Sequence, residues 1–241
     1  MNTLYLMIDF FTIIIPFIFS FHPRIQFYKT WKAFFAANII IAIVFIIWDD
    51  LFTKAGVWNF NPDYVTGIYI ASLPIEELLF FICIPYSCVF TYYCLNKFYR
   101  LNWKPSSEKV FCLVFSGVLL AAGLIFYERI YTSVTFISTA LVCLLLKFYF
   151  RINWFGNAVT VYAILLLPFL IVNGILTGTG IEGAVVRYND AENLGIRILT
   201  IPVEDVFYGF ELILLNLFLY KRFQGNMNTV DTPVKGHQSF K

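Results

Sequence analysis

The feature that most constrains this chain is a series of seven long apolar stretches separated by polar connections. Each stretch is close to the roughly 20 residues that an α-helix needs to cross the hydrocarbon core of a bilayer. Because 60% of the residues are hydrophobic and 13% are charged, an ordinary soluble domain is excluded. We therefore predict an all-α integral membrane protein with seven transmembrane helices, at about 4–21, 31–48, 68–95, 110–127, 130–146, 152–176 and 198–220.

The positive charges fall mainly on alternate connections. Most of the 17 Lys and Arg residues follow helices one, three, five and seven. The positive-inside rule then predicts a multi-pass protein of the cell (inner) membrane, with its N-terminus outside and its C-terminus in the cytoplasm. The first stretch carries Asp9 and lacks a basic start and a small-residue cleavage site, so we expect a helix rather than a signal peptide. The polar tail at 224–241 is predicted to be disordered.

The sequence contains no pattern typical of a metal or cofactor site. Its cysteines lie within apolar stretches, without a CxxC pair or a neighbouring His, which argues against a metal site and a disulfide framework. GTGIEG at 178–183 fits the dinucleotide pattern formally, but it follows a membrane helix and leads into a polar loop instead of joining a strand to a helix. We expect neither a cofactor nor a metal, and the net charge of +2 gives no indication of a nucleic-acid partner.

An internal repeat organises the chain. SLPIEELLF at 72–80 matches TIPVEDVFY at 200–208, at an offset of 128 residues. We interpret helices one to three and five to seven as two copies of one three-helix unit, at 1–97 and 130–223, joined by a linker with helix four at 98–129. An odd number of spans between the copies makes them parallel and related by a pseudo-two-fold axis along the membrane normal.

The repeated motif, Pro-x-Glu-Glu/Asp, carries the candidate chemistry. A proline at a helix start loses no hydrogen bond, and carboxylates in the first turn are favoured by the helix dipole. Ionisable groups just below a membrane surface are costly, however, and usually mark a functional site. Because the pair occurs in both units, we select Glu76, Glu77, Glu204 and Asp205 as candidate catalytic residues.

The outer connections add further polar and aromatic candidates. Asp49, Asp50 and Asn173 end helices two and six directly and could face the acidic motifs. Trp58 and Tyr64 could equally belong to the belt of aromatic residues at the membrane surface.

Several carboxyl groups in a dry, aromatic pocket favour one kind of reaction. A desolvated carboxyl beside a carboxylate can remain protonated while its neighbour is ionised, which provides an acid and a base without a cofactor. The chain has 28 Phe, 15 Tyr and 5 Trp, and aromatic faces in a pocket could stabilise a carbocation. Such a site suits the proton-initiated rearrangement of an apolar alkene dissolved in the membrane.

The doubled pattern Pro-x-Glu-Glu/Asp-x-x-Phe resembles the lycopene cyclase domain family of bacteria, archaea and fungi. In that family two homologous three-helix units occur as separate subunits or fused, and this chain looks like the fused form. The residues that match the pattern are Pro74, Glu76, Glu77 and Phe80 in the first unit and Pro202, Glu204 and Asp205 in the second. Tyr208 replaces the second Phe.

The resemblance implies a lycopene β-cyclase, an isomerase (intramolecular lyase) that forms β-ionone rings without net redox change, via γ-carotene to β-carotene. We expect Glu76 and Glu204 to face each other as acid and base, with Glu77 and Asp205 tuning them. The expected substrate contacts are Phe80, Tyr208, Trp58, Tyr64, Asp50 and Asn173. The expected partners are lycopene or a related acyclic carotenoid and the lipid bilayer. The resemblance is also compatible with a homo-oligomer or with association with other carotenoid enzymes.

The sequence argues against two other functions and leaves two open. A seven-helix retinal protein needs a lysine in its last helix, and 198–220 contains none. A metal-dependent prenyltransferase needs more clustered aspartates than Asp49 and Asp50. A proton-coupled transporter built from two repeats remains an alternative, with Glu204 and Glu211 as proton carriers, as does a cyclase for another ring type or a longer carotenoid.

Overall fold

A computed structural model describes residues 3–230, and within them the predicted helical class is confirmed. A short 3-10 turn, Phe27–Thr30, leads into the second helix, and a π turn, Leu145–Tyr149, extends the fifth. The helices are α1 (Leu4–Phe19), α2 (Trp31–Lys54), α3 (Ile75–Phe98), α4 (Pro105–Ile125), α5 (Ile130–Leu144), α6 (Phe155–Leu176) and α7 (Val203–Val230).

Several of these helices can cross a membrane. Five of those described, α2 to α6, are long and apolar enough to do so, whereas α1 has only 16 residues. Large apolar side chains cover the outside of the bundle, among them Phe11, Ile125 and Leu167, each more than 60% exposed. An apolar exterior of this kind indicates a membrane protein. Seven spans in two parallel repeats remain a prediction.

Helices three and seven begin later than the hydropathy predicts. The residues before them form two short antiparallel hairpins, β2 (Tyr69–Ile70) with β3 (Leu73–Pro74), and β5 (Arg197–Ile198) with β6 (Ile201–Pro202). Each hairpin turns through a left-handed residue, Ala71 at φ 54° and Leu199 at φ 59°. The predicted starts at 68 and 198 are therefore wrong, because an apolar hairpin and an apolar helix have the same hydropathy.

The C-terminal helix also extends past its predicted end at 220, since α7 continues to Val230. The remainder of the tail predicted to be disordered, 231–241, lies outside the described residues.

The two outer connections pair with each other through a short antiparallel ladder. β1 (Trp58–Phe60) joins β4 (Val186–Tyr188) with Asn59 opposite Arg187, and these two residues are 128 apart. Trp58 lies opposite Tyr188, and Phe60 lies opposite Val186. Val186 is 128 residues after Trp58, and Phe60 is 128 residues before Tyr188, so the repeat offset converts the first pair into the second. An isologous contact of this kind is the signature of a two-fold relation. It brings the acidic motifs of both units to the same end of the bundle.

The linker helix α4 is held by a buried ion pair. Lys147 in the π turn contacts Glu108 at the start of α4, and both side chains are buried. Glu108 also accepts a hydrogen bond from the backbone N–H of Gly156, at 2.8 Å. Glu108 therefore ties α4 to the end of α5 and the start of α6.

This ion pair predicts a specific double-variant result. Lys147→Met leaves the Glu108 carboxylate buried without its cation, and breaking a buried pair costs about 3–5 kcal/mol. We expect a markedly lower thermal midpoint in detergent, largely restored by adding Glu108→Gln, which still accepts from Gly156. Lys109→Met, at an exposed neighbouring position, is the control. Equal midpoints for the single and double variants would contradict this role.

Candidate active site

An elongated cavity of about 690 Å³ lies among α1, α3, α6 and α7, beside the end of α2. Three buried carboxyl groups line it: Asp49 from α2, Glu77 from α3 and Asp205 from α7. The first two residues belong to the N-terminal unit and the third to the C-terminal unit. The site is thus assembled from both halves of the chain.

Tyrosine hydroxyls hold two of these carboxyl groups in place. Tyr5, the second residue of α1, donates a hydrogen bond to Glu77 Oε2 at 2.6 Å. Tyr131, at the start of α5, donates to Asp205 Oδ1, and Tyr188 of β4 donates to Asp205 Oδ2 at 2.9 Å. Both oxygens of Asp205 are therefore engaged, whereas a single tyrosine bonds Glu77.

Tyr188 is suited to remain a donor. Its ring lies against the Tyr131 ring at a centroid distance of 5.8 Å, and burial followed by the charge of Asp205 raises the pKa of its phenol well above the usual value. The hydroxyl therefore keeps its proton at any physiological pH.

The first carboxylate of each motif has a different environment from the second. Glu76 and Glu204 are fully buried and do not line the cavity. Glu76 Oε1 accepts from the backbone N–H of Thr66 at 2.7 Å. Glu204 Oε1 accepts from the N–H of Leu194 at 2.8 Å and from the hydroxyl of Thr132 at 2.6 Å.

The structure thus differs from the expectation that Glu76 and Glu204 face each other across the site. Successive residues on an α-helix point about 100° apart, so the two carboxylates of one motif have different surroundings. Glu77 and Asp205 take the cavity side. Glu76 and Glu204 point to the connections that precede their helices and fix them.

Most of the predicted substrate contacts reach the cavity. The four that line it are Phe80, Tyr208, Trp58 and Asn173. The rings of Phe80 and Tyr208 occupy matching positions in the two units, as the motif predicts. The Tyr208 hydroxyl is buried and has no hydrogen-bond partner among the described residues.

Asp50 and Tyr64 do not line the cavity. Asp50 pairs with Lys54 and accepts from the backbone N–H of Ser72 at 2.9 Å, so it ties α2 to the first hairpin. Tyr64 donates its hydroxyl to the Glu182 carbonyl and joins the two outer connections.

Sequence reasoning missed part of the site. Tyr5 and Tyr131 line the cavity, and their separation of 126 residues, close to the repeat offset, is the signal that could have identified them. Asp9 of α1 is also buried, within electrostatic range of Glu77, and neither of its carboxyl oxygens has a hydrogen-bond partner in the described part of the chain. The sequence shows an acidic residue in an apolar stretch, but it does not show which side chains lie near Asp9 in the fold.

A family model described as lycopene cyclase matches residues 2–95 and 128–223. The chain belongs to the lycopene cyclase family. The match covers both units, omits most of the linker with α4, and confirms the resemblance drawn from the doubled motif.

Curated relatives in this family share a shorter segment. The chain is 37% identical over 60 residues to a bifunctional lycopene cyclase/phytoene synthase of Aspergillus niger, and 38% identical over 61 residues to one of Colletotrichum graminicola. Each match covers 24% of this chain and 10% of the relative. No solved structure matches the chain significantly.

The contacts of Glu76 and Glu204 predict that they serve the fold more than the reaction. Glu76→Gln and Glu204→Gln keep an acceptor for the backbone and should retain a near-normal thermal midpoint in detergent. Glu76→Ala and Glu204→Ala each leave a partly buried N–H unpaired, which costs up to about 1–3 kcal/mol, and should lower the thermal midpoint. If a well-folded Glu76→Gln protein lost the activity of the native chain, Glu76 would instead belong to the chemistry.

Proposed function

We propose that this chain is a lycopene cyclase that converts the linear ψ ends of lycopene into β-ionone rings, via γ-carotene to β-carotene. The observation that carries the proposal is the convergence of Asp49, Glu77 and Asp205, from both units, on one apolar and aromatic cavity. Membership of the lycopene cyclase family supports the same substrate class. The enzyme would be an isomerase, an intramolecular lyase that needs no redox cofactor.

The proposed reaction needs one proton donor and one proton acceptor. A carboxylic acid transfers its proton to C2 of the terminal alkene, which leaves a cation at C1. The C5=C6 electrons then form the C1–C6 bond and move the cation to C5. Loss of the C6 proton to a carboxylate restores the C5=C6 bond. One proton enters and one leaves, so the substrate is neither oxidised nor reduced.

The hydrogen bonds suggest how the three carboxyl groups divide this work. C2 and C6 are both bonded to C1 at ring closure, so the donor and the acceptor must lie close together. A carboxylate that accepts phenol hydrogen bonds is stabilised in its charged form, and Asp205 accepts two. We assign Asp205 the role of a fixed charge that stabilises the cation.

Asp49 and Glu77 are then the pair that exchanges the proton. Within residues 3–230, Asp49 Oδ2 is buried without a hydrogen-bond partner, which suits a neutral carboxylic acid that donates to C2. Glu77, held by Tyr5 through one oxygen, accepts the C6 proton. Return of that proton from Glu77 to Asp49 resets the site for the next end group.

The aromatic walls have two tasks in this scheme. The rings of Trp58, Phe80 and Tyr208 line the cavity beside the carboxyl groups and stabilise positive charge through their π faces. The apolar lining also excludes water, which would otherwise add to the cation and yield an alcohol instead of a ring.

The remaining features of the proposal concern the setting of the reaction. We propose a multi-pass protein of the cell membrane with the N-terminus outside, so that the carboxyl groups lie near the outer surface of the bilayer. The lipid itself dissolves the carotenoid and delivers it to the protein.

The acid–base assignment predicts a large loss of activity in three isosteric variants. Asp49→Asn and Glu77→Gln should each reduce ring formation by about 10²–10⁴-fold, the range that a positioned acid or base contributes. Asp205→Asn removes the fixed charge and should reduce ring formation by about 10²–10³-fold, the range for loss of one group that stabilises transition-state charge. The measurement is the carotenoid profile of a lycopene-producing host, by absorbance spectrum and retention time, corrected for the amount of protein in the membrane.

Glu211→Gln is the matched control. Glu211 is buried in α7, accepts hydrogen bonds from Ser138 and Thr139 at 2.7 and 3.0 Å, and does not line the cavity. Ring formation should survive its replacement. Unchanged lycopene in the host that expresses the native chain would reject the cyclase, and a requirement for Glu211 would favour the proton-coupled transporter.

A further inference from the structure

At the position related to the large cavity by the internal repeat, the described residues form a smaller depression of about 290 Å³, lined by Ser133, Val134, Ile137, Ser138 and Leu141 of α5. One difference between the two positions lies on α3 and α7. Adding 128 to Phe81 gives Gly209, so these two residues occupy equivalent places on α3 and α7. Phe81 is 1% exposed, and its ring packs against Phe45 at a centroid distance of 6.2 Å. Gly209 lines the cavity instead. An aromatic ring therefore fills the position of Phe81 on α3, whereas the equivalent position of Gly209 on α7 is open.

Gly209 keeps the cavity open because it has no side chain. A Cβ atom there would meet the Tyr162 hydroxyl at 3.0 Å and the Phe169 ring at 3.6 Å, and both of those residues line the cavity. The Tyr162 hydroxyl donates to the carbonyl of Val206 at 2.6 Å, so it is not free to move away. A phenyl ring at Gly209 would occupy the space between α6 and α7.

The cavity opens sideways between α1 and α6. Met7, Phe11 and Ile15 of α1, with Pro168 and Ile171 of α6, line the cavity and are also exposed on the outside of the bundle. Residues that belong to both surfaces mark the mouth of the cavity. Because the outside of the helices faces lipid, an apolar chain can pass from the bilayer into the cavity without crossing water.

The carboxyl groups stand at one end of the cavity only. The lining follows α3 from Glu77 to Thr91, a distance of roughly 21 Å at 1.5 Å per residue. The polar groups further along are satisfied locally, since Ser87 donates to the Thr12 carbonyl at 2.9 Å and Thr91 to the Ser87 carbonyl at 2.8 Å. The deep part of the cavity therefore suits a polyene, and the acidic part an end group.

We propose that the two related units build one end-group chamber, opened by Gly209, which a carotenoid enters sideways between α1 and α6 and in which one end is cyclised per visit. The proposal rests on the cyclase function proposed above. A second ring then requires the monocyclic product to leave, turn around in the bilayer and enter again by its other end.

Binding of lycopene tests the single chamber independently of the chemistry. The full chain in detergent is titrated with lycopene, and the quenching of tryptophan fluorescence is read, since Trp58 lines the chamber. We expect one equivalent per chain, with affinity at least tenfold weaker in Gly209→Phe. Gly117→Phe is the control, because a Cβ at Gly117 of α4 meets nothing within 4 Å. Two equivalents, or an unchanged Gly209→Phe protein, would overturn the proposal.

Two further measurements complete the test. If Gly209→Phe fails to fold, Gly209→Ala should weaken binding by a smaller factor, because only its Cβ must be accommodated. Native affinity in Gly209→Ala would contradict the role of Gly209 in opening the chamber.

In vesicles with lycopene in large excess over protein, the free monocyclic carotenoid should appear before any bicyclic product. Bicyclic product from the first time points, without free monocyclic carotenoid, would show that both ends react in one visit. Stoichiometric binding that Gly209→Phe abolishes, without any ring product, would reject the cyclase function and retain the chamber.

Discussion

The arrangement depends on one constraint, which is that carboxyl groups buried in an apolar helical bundle need hydrogen-bond donors. The motif meets this need in part, with two neighbouring side chains that have separate partners, while one buried oxygen each of Glu76 and Glu204 has no hydrogen-bond partner among the described residues. Glu76 and Glu204 turn back to backbone N–H groups of their own connections, so the hairpins before α3 and α7 are fixed to the helix starts. Glu77 and Asp205 are left to face the cavity, where tyrosines from α1, α5 and β4 hold them.

Duplication supplies a nearly symmetric frame, and a few substitutions make the site within it asymmetric. The ladder between β1 and β4 keeps the two outer connections in register about Asn59 and Arg187. Tyr188 stands where the first unit has Phe60, so Asp205 receives a second hydrogen bond that Glu77 lacks. Gly209 stands where the first unit has Phe81, so the space that a phenyl ring fills beside α3 stays open beside α7. Two similar carboxylates thereby acquire different surroundings, as their proposed roles require, since Glu77 accepts a proton and Asp205 remains a fixed charge.

Much of the site could be predicted from the sequence, because its signals are periodic or repeated. The apolar stretches predict the helices, the doubled motif locates the carboxyl groups at one end, and Phe80, Tyr208 and Trp58 follow from the motif and its neighbouring connection. The rotation of each helix about its axis could not be predicted, since α3 and α7 are apolar on every side. For that reason the prediction has Glu76 and Glu204 face each other across the site, whereas Glu77 and Asp205 line the cavity in the structure.

The central claim concerns where an end group of lycopene lies relative to the acidic residues. A cryo-electron microscopy structure of the chain with lycopene in lipid nanodiscs tests it directly. The account predicts density for one ψ end in van der Waals contact with Asp49, Glu77 and Asp205, and a polyene that leaves between α1 and α6. Density for the end group beside Glu76 or Glu204 instead, or ordered lycopene only on the outside of the bundle, would contradict it.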